Sequence, residues 1–588
     1  MQTITNDAVA EKLEEIATLM RLAGMNDFKA IAFDRAARTI EALDVPVTDY
    51  IEEKNLTDIK GIGKSIAEDI YAFAETGRIP VLDDLHEKVP EGLIKWLSIS
   101  GLGPKKIYKI HKELDITELE ELKEKCKNGS VAGLPGMGKK SAEKILKSID
   151  WMEQFSERCR LDEATEIAER LIEELKDLDG VQEISIAGSL RRQSETIGDV
   201  DILIAADESD ASPIFDTFTG HESVVEVLGR GDTKSSVRTA EGRQVDLRIV
   251  KPEQYPAALM YFTGSKEHNV VMRQRARERG MTLNEYGIFK MTDDGNTDFD
   301  KPVSYESEAD IYNKLELGFV PPELREDRGE FKWFEDNEEA PLLEESDIRG
   351  VLHAHSMYSD GRKTIREMAE ACMERGYEYL GLTDHSKTAA YAGGLSVEAV
   401  QKQWEEIDAL NNEFEKEGKN FRIFKGIESD ILPDGSLDYP EEILEGFDFV
   451  IGSVHASLEM EPEKMLERYR RAIENPHCRI IGHPTGRLLL RRDGSKVDLN
   501  KLIEIAAENN TAIEINASPW RLDLDWRFGQ KAAKTGLMSA ICPDAHSIEG
   551  IDDIRYGVSI ARKGWYTADR ILNTKSADDL MKWFKNGN

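Results

Sequence analysis

The chain has no run approaching the roughly 18 consecutive apolar residues that span a membrane. Its amino-terminus, MQTITNDAVAEKLEEIATLM, also lacks the basic region followed by an apolar one that marks a secretion signal. A soluble, cytoplasmic protein without membrane contact is expected. Cysteine is scarce: Cys126, Cys159, Cys372, Cys478 and Cys542 form no Cys-x-x-Cys pair, which suits reduced thiols and excludes a disulfide scaffold and a thiolate zinc site. Positive charge is in deficit, with 77 Lys and Arg against 113 Asp and Glu for a net −36. Global charge therefore argues against a nucleic-acid partner, but only weakly, because phosphate affinity depends on where the cations sit. What is present is length and balance. With 588 residues, 40% hydrophobic and 32% charged, the chain is globular and divides into roughly four units.

Amphipathic helical patterns fill residues 1–90, the first starting at a Thr5/Asn6 cap and stopping at Gly24. Short helices and glycine turns continue to about residue 150. Near residue 181, EISIAG and DVDILIA read as buried strands, which opens an α+β unit. The charged, aperiodic segment 324–347 reads as a linker. After it apolar runs ending in polar residues alternate with helices (YLGLTDH, FRIFKGIESDI, FDFVIGSVHAS, RIIGHPTG, TAIEINASP and SAICPDAHS), a pattern that predicts a parallel barrel-like α/β domain.

Three segments repeat a small turn, Gly-x-Gly, and then a helix: DIKGIGKSIAEDI, SISGLGPKKIYKI and AGLPGMGKKSAEKI. One copy would most simply join two packed helices. Three copies followed at once by lysines point to phosphate held at helix N-termini, with Gly61, Gly63, Lys64, Gly101, Gly103, Lys105, Gly136, Gly138 and Lys139 as the contact residues. They resemble helix-hairpin-helix motifs, which grip the nucleic-acid backbone without reading sequence. GIGKS lacks the spacing of a P-loop.

AGSLRRQSETIGDVDILIA places Gly188-Ser189 after a strand and Asp199-x-Asp201 on the next, so that both carboxylates share one face. With Asp246 of RQVDLRIV they form a set that implies hard cations, because three buried acids alone repel strongly. Two ions there suit an in-line displacement by a 3′-oxygen on a triphosphate. The blocks GSLRRQSETIGDVD, QVDLR and YFTGSKEHNVVMRQRARERGMTLNEYGIF resemble family X DNA polymerases, the group of DNA polymerase beta, across residues 1 to about 320. The resemblance implies Asp199, Asp201 and Asp246 as ligands of Mg²⁺ or Mn²⁺, with Asp246 assisting deprotonation of the primer 3′-hydroxyl. It further implies Gly188, Ser189, Arg192 and Gly198 at the triphosphate, and Tyr261, Phe262 and Gly264 against the sugar. Asn269 would meet the base edge and Arg273 the template. Arg273, Arg275, Arg277 and Arg279 form a cluster expected to face phosphate. Gln244, Ile197 and Lys266 depart from the vertebrate pattern, which bears on rate and fidelity. In the amino-terminal region Asp69 stands where relatives of polymerase beta carry a Schiff-base lysine, so 5′-deoxyribose phosphate lyase activity is doubtful.

Seven of eleven histidines lie at or after His353. His353 and His355 alternate along a strand, Asp360 follows in a turn, and His385, Glu428, His455, His483, Asp544 and His546 end further strands. Nine N and O ligands at one barrel mouth suit two or three Zn²⁺, Mn²⁺ or Fe ions. His477 fits no motif and reads as structural. The pattern resembles the polymerase and histidinol phosphatase (PHP) domain, which implies a metal-dependent 3′-5′ exonuclease or phosphoesterase. The whole is then a multidomain α and α/β chain. It comprises a helical DNA-binding domain (1–90), a helix-hairpin-helix region (91–150), a nucleotidyltransferase-type α+β palm with nucleotide-selection elements (151–323), the linker, and a PHP barrel (348–588). It would act as a monomer on gapped or primer-template DNA with deoxynucleoside triphosphates in base-excision repair, and the resemblance admits a monovalent cation at a hairpin. The rivals are a small-molecule phosphatase with a vestigial upstream region and a non-catalytic DNA-binding scaffold. Filled acid and metal positions oppose both.

Overall fold

Helices form where apolar residues recur at helical spacing. Asn6–Leu22 buries Val9, Leu13, Ile16 and Met20 against Ala30, Phe33, Ala37 and Ile40 of Asp27–Glu41. The computed structural model describes residues 6–585 except 26, 42, 44, 45, 60, 100, 101, 155–157 and 293–296, and it falls into two units, Met1–Glu157 and Arg158–Asn588. Thr5 lies outside the described residues. Asn6 is the first described residue of its helix, and its amide oxygen accepts from Val47 N at 2.6 Å, which ties this helix start to that of Val47–Glu52.

The three glycine turns of the first unit share one geometry. Ile62, Leu102 and Met137 are buried, and their amides donate to the carbonyls of Ile59, Ile99 and Leu134 three residues earlier at 3.0, 3.0 and 2.9 Å. Gly61 and Gly136 turn the chain with φ of +105° and +77°, while Gly101 lies outside the described residues. The second glycine of each turn, Gly63, Gly103 or Gly138, leads into the helix Lys64–Thr76, Pro104–Leu114 or Lys139–Gln154. Nothing stands within 4 Å of where a Cβ would sit on any of the three. Their outer faces are open. Lys64 and Lys139 are exposed beside them, whereas Lys105 pairs with Asp27 at 2.7 Å. Asp69 is half-buried on the first of these helices, and burial, with Glu68 beside it, pushes its carboxyl up to about 6.

In the second unit, β1 (Glu183–Ile186), β2 (Asp199–Ala205), β3 (Val224–Arg230), β4 (Lys234–Thr239) and β5 (Gln244–Val250) form one sheet in the order β1-β2-β5-β4-β3. β2 and β5 run parallel with Asp199 opposite Gln244 and Asp201 opposite Asp246. Helix Leu161–Leu175 covers this sheet through Ile167, Ala168 and Leu171. A three-stranded meander follows, β6 (Met281–Asn284), β7 (Gly287–Met291) and β8 (Thr297–Pro302). The stretch expected as a linker is ordered: Leu324, Phe334 and Leu342 join the apolar cluster of Met260, Met272 and Tyr312, and Glu330–Phe334 is helical. Apolar residues hidden among its charges hold it down.

Seven parallel strands complete the chain: β9 (Gly350–Ala354), β10 (Tyr379–Leu382), β11 (Arg422–Asp430), β12 (Phe449–Ser453), β13 (Cys478–Ile481), β14 (Ala512–Asn516) and β15 (Ser539–Cys542). They pair in chain order, and a parallel bridge from Ala354 to Ala545 brings the last beside the first. Strands buried on both faces read as largely apolar runs, and every residue of β9, β12 and β14 is buried, His353, Ser453, Glu514 and Asn516 included. Truncating one such residue, Ile451 for example, costs about 2–5 kcal/mol. Among the described residues no helix is long and apolar enough to cross a membrane.

Candidate functional site

The first candidate centre lies on β2 and β5. Asp199, Asp201 and Asp246 bring carboxylate oxygens within 4.8 Å of one another, because alternation aims Asp199 and Asp201 to one face and the parallel register sets Asp246 beside Asp201. Burial, with Asp199 and then Asp246 beside it, pushes the Asp201 carboxyl up to about 7. That repulsion is what a shared cation would relieve. Asp246 is only 5% exposed; Lys234 Nζ lies 2.6 Å from one of its oxygens and Gln244 Nε2 donates to the other at 3.0 Å. Gly188 meets a constraint beyond the phosphate expected against it. Its φ is +61°, and a Cβ there would stand 2.2 Å from Asp201 Oδ2. The glycine makes room for a carboxylate of its own chain.

Ser189 follows Gly188 in the short helix Gly188–Arg191. Arg192 aims Nε at Glu326 at 3.1 Å and Nη1 at the Thr263 carbonyl at 2.6 Å, and a Cβ on Gly198 would stand 3.5 Å from Arg158 Nη1. The turn at Gly264, φ +69°, ends helix Tyr255–Thr263, and Ser265 caps the next helix, Lys266–Glu278, accepting from His268 N at 3.2 Å. Tyr261 and Phe262 meet edge to face at 5.4 Å, with the Arg248 guanidinium 4.4 Å from the Phe262 ring. Asn269 donates to the Tyr261 carbonyl at 2.7 Å and leaves its buried amide oxygen without a protein partner. Arg273 is half-buried on the same helix. The expected arginine cluster does not act as one. Arg275 donates to the Leu315 and Glu316 carbonyls and pairs with Glu335, and Arg279 pairs with Glu316. Those two hold their own domain together, because a guanidinium beside free carbonyls satisfies them before it meets solvent.

The second candidate centre lies at the carboxyl ends of the seven parallel strands. Four sets have ligand atoms within 4.8 Å: His355, Asp360, His385 and His546; His353, His355 and Asp544; His385, Glu428 and His455; and, behind them, His353, Glu514 and Cys542. His483 joins them through Glu428 at 3.0 Å. His353 Nε2, His355 Nδ1 and His483 Nδ1 are buried without a hydrogen-bond partner, the first two with carboxylate oxygens at 3.5–3.7 Å. Orphaned imidazole nitrogens facing carboxylates fit two or three divalent cations. Burial disfavours charge on His455, but Glu428 and Asp430 outweigh it and hold the imidazole up at about 10. Burial would likewise raise Glu428, yet His455, His353 and His385 hold it well below the carboxylate range. The placement of His353 and His355 corrects the expected alternation. β9 ends at Ala354, its register slips at residue 353, and His353 has φ +66°. A left-handed kink, not a two-residue repeat, brings the two rings to 5.3 Å. His477 stands apart, paired with Glu441 at 2.7 Å.

Comparison with known families matches these units in order. A helix-hairpin-helix domain matches residues 4–79, a helix-hairpin-helix tandem 94–150, the DNA polymerase beta palm 158–234, the DNA polymerase beta thumb 258–326 and the PHP domain 352–518. The DNA polymerase/3′-5′ exonuclease PolX of Bacillus subtilis is 42% identical over 575 residues, 97% of this chain and 98% of that protein. The chain belongs to family X of the DNA polymerases. DNA polymerase lambda of Rattus norvegicus is 24% identical over 48% of each chain. A protein of Thermoanaerobacter sp. named "Probable phosphatase" is 28% identical over 38% of this chain and 89% of its own.

In this family X chain the sequence reading missed the partners behind the ligands. Glu514 Oε2 lies 2.6 Å from His353 Nδ1 and Asp430 Oδ1 lies 2.6 Å from His455 Nδ1. Each fixes an imidazole so that its other nitrogen faces the cluster. Both acids were visible in strand runs, EIN and ESD, and their one signal was an ionisable residue inside an apolar strand. Lys234, against Asp246, was missed as well, since a lysine at the first position of a strand reads as solvated surface.

Proposed function

We propose that this chain adds nucleotides to a 3′-hydroxyl in short DNA gaps during base-excision repair, and removes 3′-terminal nucleotides at its PHP centre. The observation that carries the first half is the triad Asp199, Asp201 and Asp246 on two parallel strands, packed so closely that only glycine fits at 188. Mg²⁺ or Mn²⁺ bound there supplies a Lewis acid for the charge that develops on phosphate. Asp246, nearly buried and oriented by Gln244 and Lys234, receives the proton of the 3′-hydroxyl. Gly188, Ser189, Arg192 and Gly198 seat the triphosphate, and Tyr261, Phe262 and Gly264 crowd the sugar where a 2′-hydroxyl would project. Asn269 offers its amide to the base edge and Arg273 reaches the template. Lyase chemistry is not part of this reading, since the Asp69 carboxyl cannot form an imine.

The second half rests on the histidine and carboxylate mouth, where Zn²⁺, Mn²⁺ or Fe would supply the Lewis acid for phosphoester hydrolysis. Glu514 and Asp430 set the tautomers of His353 and His455, and Asp360 and His546 form the more exposed rim. The functional divisions follow 1–90, 91–150, 151–323 and 348–588, the first two gripping DNA backbone at the hairpins, one of which can seat a monovalent cation. The protein works as a cytoplasmic monomer. A labelled primer on a gapped template, with Mg²⁺ or Mn²⁺, tests the whole: it should lengthen with nucleotides and shorten without them. A primer unchanged under both conditions refutes the reading.

A further inference from the structure

Three side chains of the barrel domain, Lys563, Arg487 and Arg527, converge on the loop that leads from Ser189 to Asp199. Lys563, the last residue of helix Ile554–Lys563, is 2% exposed. Its ammonium donates to the backbone carbonyl of Arg192 at 2.9 Å and to Glu326 at 2.5 Å, and it stands 4.6 Å from the Trp526 ring. Glu326 is the carboxylate that also faces Arg192 Nε at 3.1 Å. Three residues along, Glu195 accepts from Arg487 at 2.5 Å and from Arg527 at 3.2 Å. Arg487 is itself locked to the barrel through the Arg521 carbonyl at 2.8 Å and Asp525 at 3.2 Å.

None of these three barrel residues belongs to the histidine cluster. Burying an ammonium is costly, and an apolar side chain of similar size is commonly as stable, so packing alone gives no reason for Lys563. Charge does. Arg192 paired with Glu326 alone is neutral, and Glu326 would hold the guanidinium to itself. With Lys563 on the same carboxylate the trio carries one net positive charge, and the carbonyl contact fixes the backbone of the loop that presents it. We propose that Lys563 and Arg487 of the PHP barrel are positioning residues for nucleotide binding at the polymerase centre: Lys563 offsets Glu326 so that Arg192 keeps its charge for the triphosphate, and Arg487 anchors the loop through Glu195. This deepens the proposed function, because it rests on Arg192 meeting the triphosphate.

The test is steady-state extension by the full-length protein on gapped DNA, with 3′-end degradation measured alongside as a check on the barrel's fold. Lys563→Met should raise KM for the nucleotide about tenfold, the order expected for one charge lost beside a phosphate site, with kcat changed far less and degradation unchanged. Lys563→Arg should recover part of the loss. Lys563→Met combined with Glu326→Gln should return KM to within about twofold of the parent, because the pair removed is net neutral. A purely structural lysine predicts the opposite, a double variant at least as impaired as the single one, and that result overturns the proposal. Should Lys563→Met not fold, Glu326→Gln and Arg487→Gln stand in its place. The first should lower KM and the second should raise it, and an unmoved KM in both overturns the proposal. Arg192→Ala separates the two levels. If it leaves KM unchanged, the triphosphate reading itself fails; if it raises KM while Lys563→Met does not, only the barrel's part is refuted.

Discussion

Replacing Gly188 by alanine introduces one methyl carbon 2.2 Å from Asp201 Oδ2 and 3.1 Å from its carboxyl carbon. Ordinary carbon contacts begin near 3.4 Å, so the carboxylate must retreat by about 1 Å or the strand must move. A displacement of that size at a reacting centre costs on the order of a hundredfold in rate. Alanine at φ +61° adds a local strain of about 1 kcal/mol, which lowers Tm slightly and does not unfold the domain. Gly188→Ala should therefore cut nucleotide incorporation on gapped DNA by about a hundredfold or more in kcat, with 3′-end degradation unchanged. Gly229→Ala in the same sheet, where nothing lies within 4 Å of the added carbon, should leave both activities at the parent level. Full extension by Gly188→Ala would refute the claim that close packing of this glycine on Asp201 sets the geometry of the centre.

Asp199→Ala or Asp201→Ala should abolish extension and spare 3′-end degradation, and His355→Ala or Asp544→Ala should do the reverse; loss of both activities in a folded single variant would show that the centres are not independent. Glu514→Gln should weaken metal retention at the PHP centre by about 10–100-fold, read as the chelator concentration that halves degradation; an unshifted midpoint would mean that Glu514 does not orient His353. Gly63→Val and Gly138→Val add side chains into open space, so folding should be kept while affinity for all DNA sequences falls. The slope of log affinity against log salt should become shallower by about one per lost phosphate contact, and binding that ignores both the substitutions and salt would sink the hairpin account.

Much of the fold could be read from the residues because burial on two faces leaves a strong signature. The barrel strands are buried, largely apolar runs with polar residues at or just beyond their ends, and a parallel barrel gathers such strand ends at one mouth. Asp199-x-Asp201 was equally legible, since alternation on a strand is rigid. The ordered stretch after Leu324 was not: Phe334 and Leu342 lie in short apolar pairs between runs of acids, and what fixes them is a surface supplied by residues between Ala257 and Leu324. Local composition carries no trace of such a partner.

Where the site departed from its sequence reading, the cause in each case was backbone or partner geometry. His353 and His355 converge because the chain kinks into the left-handed region, and spacing alone describes an unkinked strand. Arg275 and Arg279 read as phosphate contacts because four arginines alternate along one segment, yet the Leu315 and Glu316 carbonyls claim Arg275 and the Glu316 carboxylate claims Arg279. Glu514 and Asp430 read as strand residues because their roles exist only relative to a histidine 161 or 25 positions away. The ligands of a metal centre must be of particular chemical types, which a sequence displays. The groups that orient those ligands need only a carboxylate at the right distance, and distance is what folding supplies.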